Sequence, residues 1–162
     1  MILRILLVLL FSGFTAAFAQ QTKIAFLSDI HFQDLYGSFS DHEFRGIAHP
    51  ETGKPVILRT MGAQLRSTRI FNENYYAFLA ALDDVVARGI RIVALPGDFT
   101  DDGQAYNLRG LRKILDEYAQ KYGLQFFITT GNHDPVGPFR QEGGKNDFLG
   151  ADGRALGIYS SE

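Results

Sequence analysis

The sequence has no cysteine, which excludes disulfide frameworks, thiolate metal sites and cysteine nucleophiles. Any bound metal must therefore rest on His, Asp, Glu or Asn. An excess of one charge is also missing. The 16 Lys and Arg and 18 Asp and Glu leave a net charge of −2. The basic residues are scattered, so no stripe is available to neutralise a nucleic acid backbone, and nucleic acid is not the expected partner. Beyond its first residues the chain has no apolar run long enough to span a bilayer, no internal repeat and no low-complexity tract. What remains is an ordinary globular composition, 46% apolar and 21% charged over 162 residues, enough for one domain with a real core.

The start of the chain reads as an export signal. Met1 to Arg4 is a short basic lead, Ile5 to Phe14 is apolar, and Ala17, Phe18 and Ala19 make a small-x-small site followed by Gln20 and Gln21. This predicts a signal peptide over 1–19 and an exported product, periplasmic or secreted, covering 20–162. No stable membrane anchor is expected, because the run is shorter than the ~20 residues a span needs. Gln20 stands where a lipid-carrying Cys would have to be, so lipidation there is excluded.

Three apolar runs follow, and each stops at a polar cluster: Lys23 to Leu27 at Ser28 and Asp29, Arg91 to Leu95 at Gly97 and Asp98, and Gln125 to Thr129 at Gly131 to Asp134. Unbroken runs of this length suit parallel strands buried on both faces. Between them, Phe78, Leu79, Leu82, Val85 and Val86 recur at helical spacing over Asn74 to Arg88, with Asn72 or Asn74 as cap and Gly89 as stop. Leu108, Leu111, Ile114, Leu115, Tyr118 and Tyr122 do the same up to Gly123. The order β-α-β-α-β with right-handed crossovers predicts an α/β domain whose ligands lie beyond the carboxyl ends of the strands. Residues 32–70 form a long connection, read as an insertion or substrate loop. The Gly-rich tail from Pro135 to Glu162 lacks periodicity and reads as loop.

All three clusters carry metal-competent or acid-base groups. Asp29 and His31 stand two positions apart at a strand end, where both can turn toward one point; read alone, they fit a turn residue and a loop histidine equally well. Asp98 adds a carboxylate whose two oxygens can bridge cations ~3.5–4 Å apart, the separation that suits phosphoryl transfer. Gly97 before it permits a close turn. Asn132 supplies an amide oxygen suited to a hard metal, and His133 suits a proton donor, with Asp101 placed to hold its imidazole.

In this order, each after a strand, Asp29-x-His31, Gly97-Asp98-x-x-Asp101 and Gly131-Asn132-His133-Asp134 resemble the first three blocks of the calcineurin-like metallophosphoesterase superfamily. The resemblance runs from about Lys23 to Asp134. It implies one half of a two-sheet α/β sandwich, incomplete at the C-terminus, with two divalent ions (Mn, Zn or Fe). Asp29 and His31 would bind the first ion, Asp98 would bridge, Asn132 would bind the second, and His133 with Asp101 would protonate the leaving group. The implied activity is hydrolysis of a small-molecule phosphate ester, as phosphomonoesterase or phosphodiesterase.

Family members carry later histidine blocks that are absent here: no histidine follows His133, while His42 and His49 precede it and read as solvated loop residues. Two explanations compete: an N-terminal portion of a longer enzyme, which the five intact first-half residues favour, and a degenerate, non-catalytic phosphate- or metal-binding domain. Asp101, Asp102 and Asp134 disfavour the purple acid phosphatase and serine/threonine phosphatase branches. Arg45, Arg59, Arg66 and Arg69 in the insertion are available for phosphate, although surface charge is the expected role for most of them.

Overall fold

The three apolar runs do become strands, and their pairing dictates where the helices go. In the computed structural model, which describes residues 22–134 and 143–160, β1 (Ile24–Phe26), β4 (Ile92–Pro96) and β5 (Gln125–Thr129) form a parallel sheet in the order β1-β4-β5. Register runs Ile24 to Ile92 and on to Gln125, so partners in one row share a face. The predicted signal peptide lies outside the described residues. Among those residues no helix is long and apolar enough to cross a membrane.

The helices α2 (Asn74–Ala87) and α3 (Ala105–Tyr122) cover a single face. Both crossovers step in the same direction across the sheet, and right-handed connections stepping the same way put their helices on the same side. Phe78, Leu82 and Val85 of α2 and Leu111, Ile114 and Leu115 of α3 pack with Val93 and Leu95 of β4 and with Phe32. Tyr118 on α3 donates a 2.6 Å hydrogen bond to Asp83 on α2. The expectation of strands buried on both faces is therefore corrected. Phe26 is 70% and Phe127 is 62% exposed on the side away from the helices. Apolar residues on both sides of a strand say that both sides are hydrophobic, not that the described chain covers both.

Neither asparagine caps α2. Glu73 holds the cap position without a side-chain bond, and the asparagines instead tie down loops. Asn72 exchanges hydrogen bonds with the Arg59 backbone at 2.8 and 3.0 Å, while Asn74 donates to the His31 carbonyl at 3.2 Å.

The 32–70 segment is ordered by a second core. It contains the short antiparallel pair β2 (Ile47–Ala48) and β3 (Pro55–Val56) and the helix α1 (Met61–Leu65), capped by Thr60. Phe39 and Ile57 from this segment pack with Tyr106 of α3 and with Phe148 and Ile158. The last two belong to a hairpin of β6 (Gly143–Leu149) and β7 (Ala155–Ser160), so the tail read as loop is instead a hairpin over these residues. It docks by main-chain bonds from Thr60 to Asp147 and from Leu149 to Leu58, both 2.8 Å. This brings Lys145 and Asp147 to the end of the sheet where the three clusters stand.

Candidate metal centre

Beyond the strand ends the first two loops continue side by side. Asp29 N donates to Gly97 O at 3.3 Å, His31 N to Asp98 O at 3.0 Å and Phe32 N to Phe99 O at 2.9 Å. To keep this pairing while turning their side chains to one point, three residues take left-handed backbone: Asp29 (φ 54), His31 (φ 41) and Asp98 (φ 47). Left-handed backbone is uncommon outside glycine, is tolerated best by Asn, Asp and His, and concentrates at functional sites. No other described non-glycine residue has positive φ.

The third loop is fitted against Asp98. A Cβ on Gly131 would stand 2.8 Å from Asp98 Cγ and nearer still to its Oδ1 and backbone N, so this position demands empty space. His133 N then donates to Asp98 Oδ1 at 2.8 Å. The buried Asp134 carboxylate fastens the second loop to the third, accepting from Phe99 N (3.2 Å), Thr100 N (2.8 Å), Thr100 Oγ1 (2.7 Å) and Gly131 N (3.0 Å). Asn132 occupies the exposed corner of that same turn.

Two sets of donors result. One ligand atom from each of Asp29, His31 and Asp98 lies within 4.8 Å of the other two, and the same holds for His31, Asp101 and His133. His31 and His133 meet edge to face at 4.9 Å between ring centroids. Buried His31 Nδ1 has no hydrogen-bond partner among the described residues, a costly state for a polar atom, whereas Asp101 Oδ1 is ion-paired with Arg69 Nη1 at 3.1 Å. An unpartnered imidazole nitrogen on the residue that converges with the Asp29 and Asp98 carboxylates fits a divalent cation of the borderline-to-hard kind. Burial, helped by Arg69 and His133, lowers the His31 pKa against the opposing pull of Asp101 and Asp98, which keeps its imidazole in the neutral form that metals bind.

His133 is held at both ring nitrogens. Nδ1 lies 3.0 Å from the main-chain carbonyl of Asp101, and Nε2 lies 2.8 Å from Arg69 Nη2. A carbonyl can only accept and a guanidinium can only donate, so Nδ1 carries the hydrogen and Nε2 accepts. The link from Asp101 to His133 is thus made by the backbone. The Asp101 carboxylate faces Arg59, Arg69, Lys145 and, at 3.5 Å, His31. Burial works to raise its pKa, but Lys145, Arg59 and Arg69 outweigh that and hold it below the ordinary carboxylate range.

Of the four insertion arginines, Arg59 and Arg69 reach the cluster, while Arg45 bonds the His42 carbonyl at 2.8 Å. His42 and His49 accept backbone N–H groups of their own turns through Nδ1. Sequence reasoning missed the four-bond role of Asp134 and the arrival of Lys145 and Asp147. No local signal marks these residues, since Arg59 and its partner Asp147 are 88 positions apart.

A search of curated proteins finds no match. The family model for calcineurin-like phosphoesterases matches residues 22–160, taking in the three loops that converge here and, past Asp134, the hairpin that docks beside them. The chain belongs to the calcineurin-like phosphoesterase family.

Proposed function

We propose that this chain carries a metal-dependent phosphoester hydrolase site. Asp29, His31 and Asp98 would hold a divalent ion there, and Asp98 with Asn132 would serve a second. The observation that carries the reading is the convergence of Asp29, His31 and Asp98 donors within 4.8 Å on backbone that is left-handed at all three. When bound, such ions would polarise the phosphoryl group and lower the pKa of the attacking water.

The protein's own groups do the rest. Asp98 is oriented by the His133 amide and by the space that Gly131 leaves. With Nδ1–H of His133 fixed on the Asp101 carbonyl, Nε2 is the atom that faces the leaving oxygen once Arg69 yields its place; it takes up a proton from solvent, forming the imidazolium, and passes that proton to the leaving oxygen. Asp101 contributes through its position, by anchoring the cations around the imidazole. Export by the predicted signal peptide belongs to the same proposal and is supported by the charge, apolar run and small-x-small pattern of residues 1–19.

Calorimetric titration with Mn²⁺ and turnover of a chromogenic phosphate ester test this. Asp98→Asn should abolish metal binding and rate together, whereas His133→Ala should retain metal and lose about 10²-fold or more in rate. Unchanged metal affinity in Asp98→Asn would refute the assignment. A second reading, a non-catalytic metal- or phosphate-binding domain, is favoured by the Arg69 guanidinium that occupies His133 Nε2. Tight Mn²⁺ binding with no turnover would support it.

A further inference from the structure

The cluster around Asp101 holds more positive charge than its carboxylates use. Asp101 is 1% exposed and lies 3.2 Å from Arg59 Nη1, 3.1 Å from Arg69 Nη1 and 3.5 Å from Lys145 Nζ. Arg59 is buried and also pairs with Asp147, so its charge is spent inside. Among the described residues Arg69 and Lys145 share no carboxylate but Asp101, and their side chains keep 29% and 28% exposure. The buried anion is thus flanked by two cations whose side chains stay partly open to solvent, and Arg69 also reaches the His133 ring.

We propose that Arg69 and Lys145 form a subsite for the terminal oxygens of a dianionic phosphate, which makes phosphomonoesters the substrate class. This rests on the hydrolase reading above and deepens it. A guanidinium and an ammonium set side by side match a group with close to two negative charges and three acceptor oxygens; a diester offers less charge and one oxygen fewer. Arg69 now donates to His133 Nε2 at 2.8 Å. A phosphate oxygen is a stronger acceptor than neutral imidazole, so the incoming anion takes over the guanidinium and frees Nε2 to face the ester. Arg69 thereby acts first as a restraint on His133 and then as a phosphate contact.

The test titrates the full chain with inorganic phosphate and with dimethyl phosphate, in EDTA and again with Mn²⁺, following heat and ³¹P line width. Phosphate should bind in EDTA, and Arg69→Gln and Lys145→Gln should each weaken it roughly tenfold. Arg69→Lys should recover part of the loss, and Lys121→Gln, at the far end of α3, should leave binding unchanged. Dimethyl phosphate should bind roughly tenfold more weakly than phosphate. Undetectable phosphate binding, wild-type affinity in both Gln variants, or equal affinity for the two probes would each overturn the subsite. Loss of Mn²⁺ binding with Arg69-dependent phosphate binding intact would instead strike the hydrolase reading and leave the subsite standing.

Discussion

Gly131 lies so close to Asp98 that a single added methyl group would meet both the carboxylate and the backbone nitrogen of Asp98 at once. Gly131 does not have positive φ, so the requirement is for room and not for unusual backbone. Because one obstacle is main chain, no rotamer change of Asp98 can relieve it.

Gly131→Ala should therefore displace the third loop and disorganise the Asp98 carboxylate. We expect Mn²⁺ affinity to fall about 10–100-fold, the range seen when groups supporting a ligand are disturbed. Calorimetric titration checks this, and an unchanged dissociation constant would show that the loops can separate without cost.

Asp134 is the clamp between the second and third loops. Asp134→Ala strands Phe99 N, Thr100 N and Gly131 N without their acceptor, and each buried group left unpaired costs about 1–3 kcal/mol. A total loss of about 3–5 kcal/mol should appear in denaturant unfolding. Asp134→Asn, which keeps one acceptor oxygen, should lose roughly half as much.

Arg59 is a buried cation between Asp101 and Asp147. Arg59→Ala leaves both carboxylates facing each other without it, at a cost of about 3–5 kcal/mol. At this chain length that lowers Tm by about 6–20 °C. A drop of less than a degree by calorimetry would mean that Arg69 and Lys145 suffice to hold the cluster.

Asp34 gives a pH signature away from the metal centre. Burial pushes its carboxyl pKa up, against the opposing effects of the Tyr36 amide, Lys113 and the Gly37 amide. A raised folded value means that the folded chain holds the proton more tightly than the unfolded chain, whose Asp titrates near ~3.9. The contribution is complete below that value and is lost as pH rises through the folded one. The stability of Asp34→Asn relative to wild type should therefore grow as pH rises from the acid range toward neutral. Unfolding curves at several pH values read this directly, and a difference that stays flat with pH would contradict it.

The parts of the fold legible in the sequence were those set by short-range pattern. Leu82 and Val85, or Leu111 and Leu115, reveal a helix because their spacing alone puts them on one face, and Val93 and Leu95 mark a strand by an apolar run that stops at glycine. What pattern could not supply was partnership. Phe26 and Phe127 look like core residues and are exposed, since hydrophobicity does not say whether a covering layer is present. The β6–β7 hairpin is not marked by pattern, because Gly143 to Asp147 carries no alternation. The Asp152-Gly153 pair at its tip, with Gly153 at φ +79, was a readable turn signal. Asp29, Asp98 and His133 were legible as chemistry before they were legible as geometry. Arg69 and Lys145 depended on contacts that only the assembled fold makes.

The left-handed bends at positions 29, 31 and 98 also govern how the site can be interrogated. Most replacements there change two things together, removing a donor and forcing a side chain onto backbone it resists, so a lost activity would not reveal its cause. Asparagine is the exception at both aspartates, because it accepts the same bend while withdrawing the charge. A pair of amide variants can thus separate the electrostatic demand of this centre from its shape.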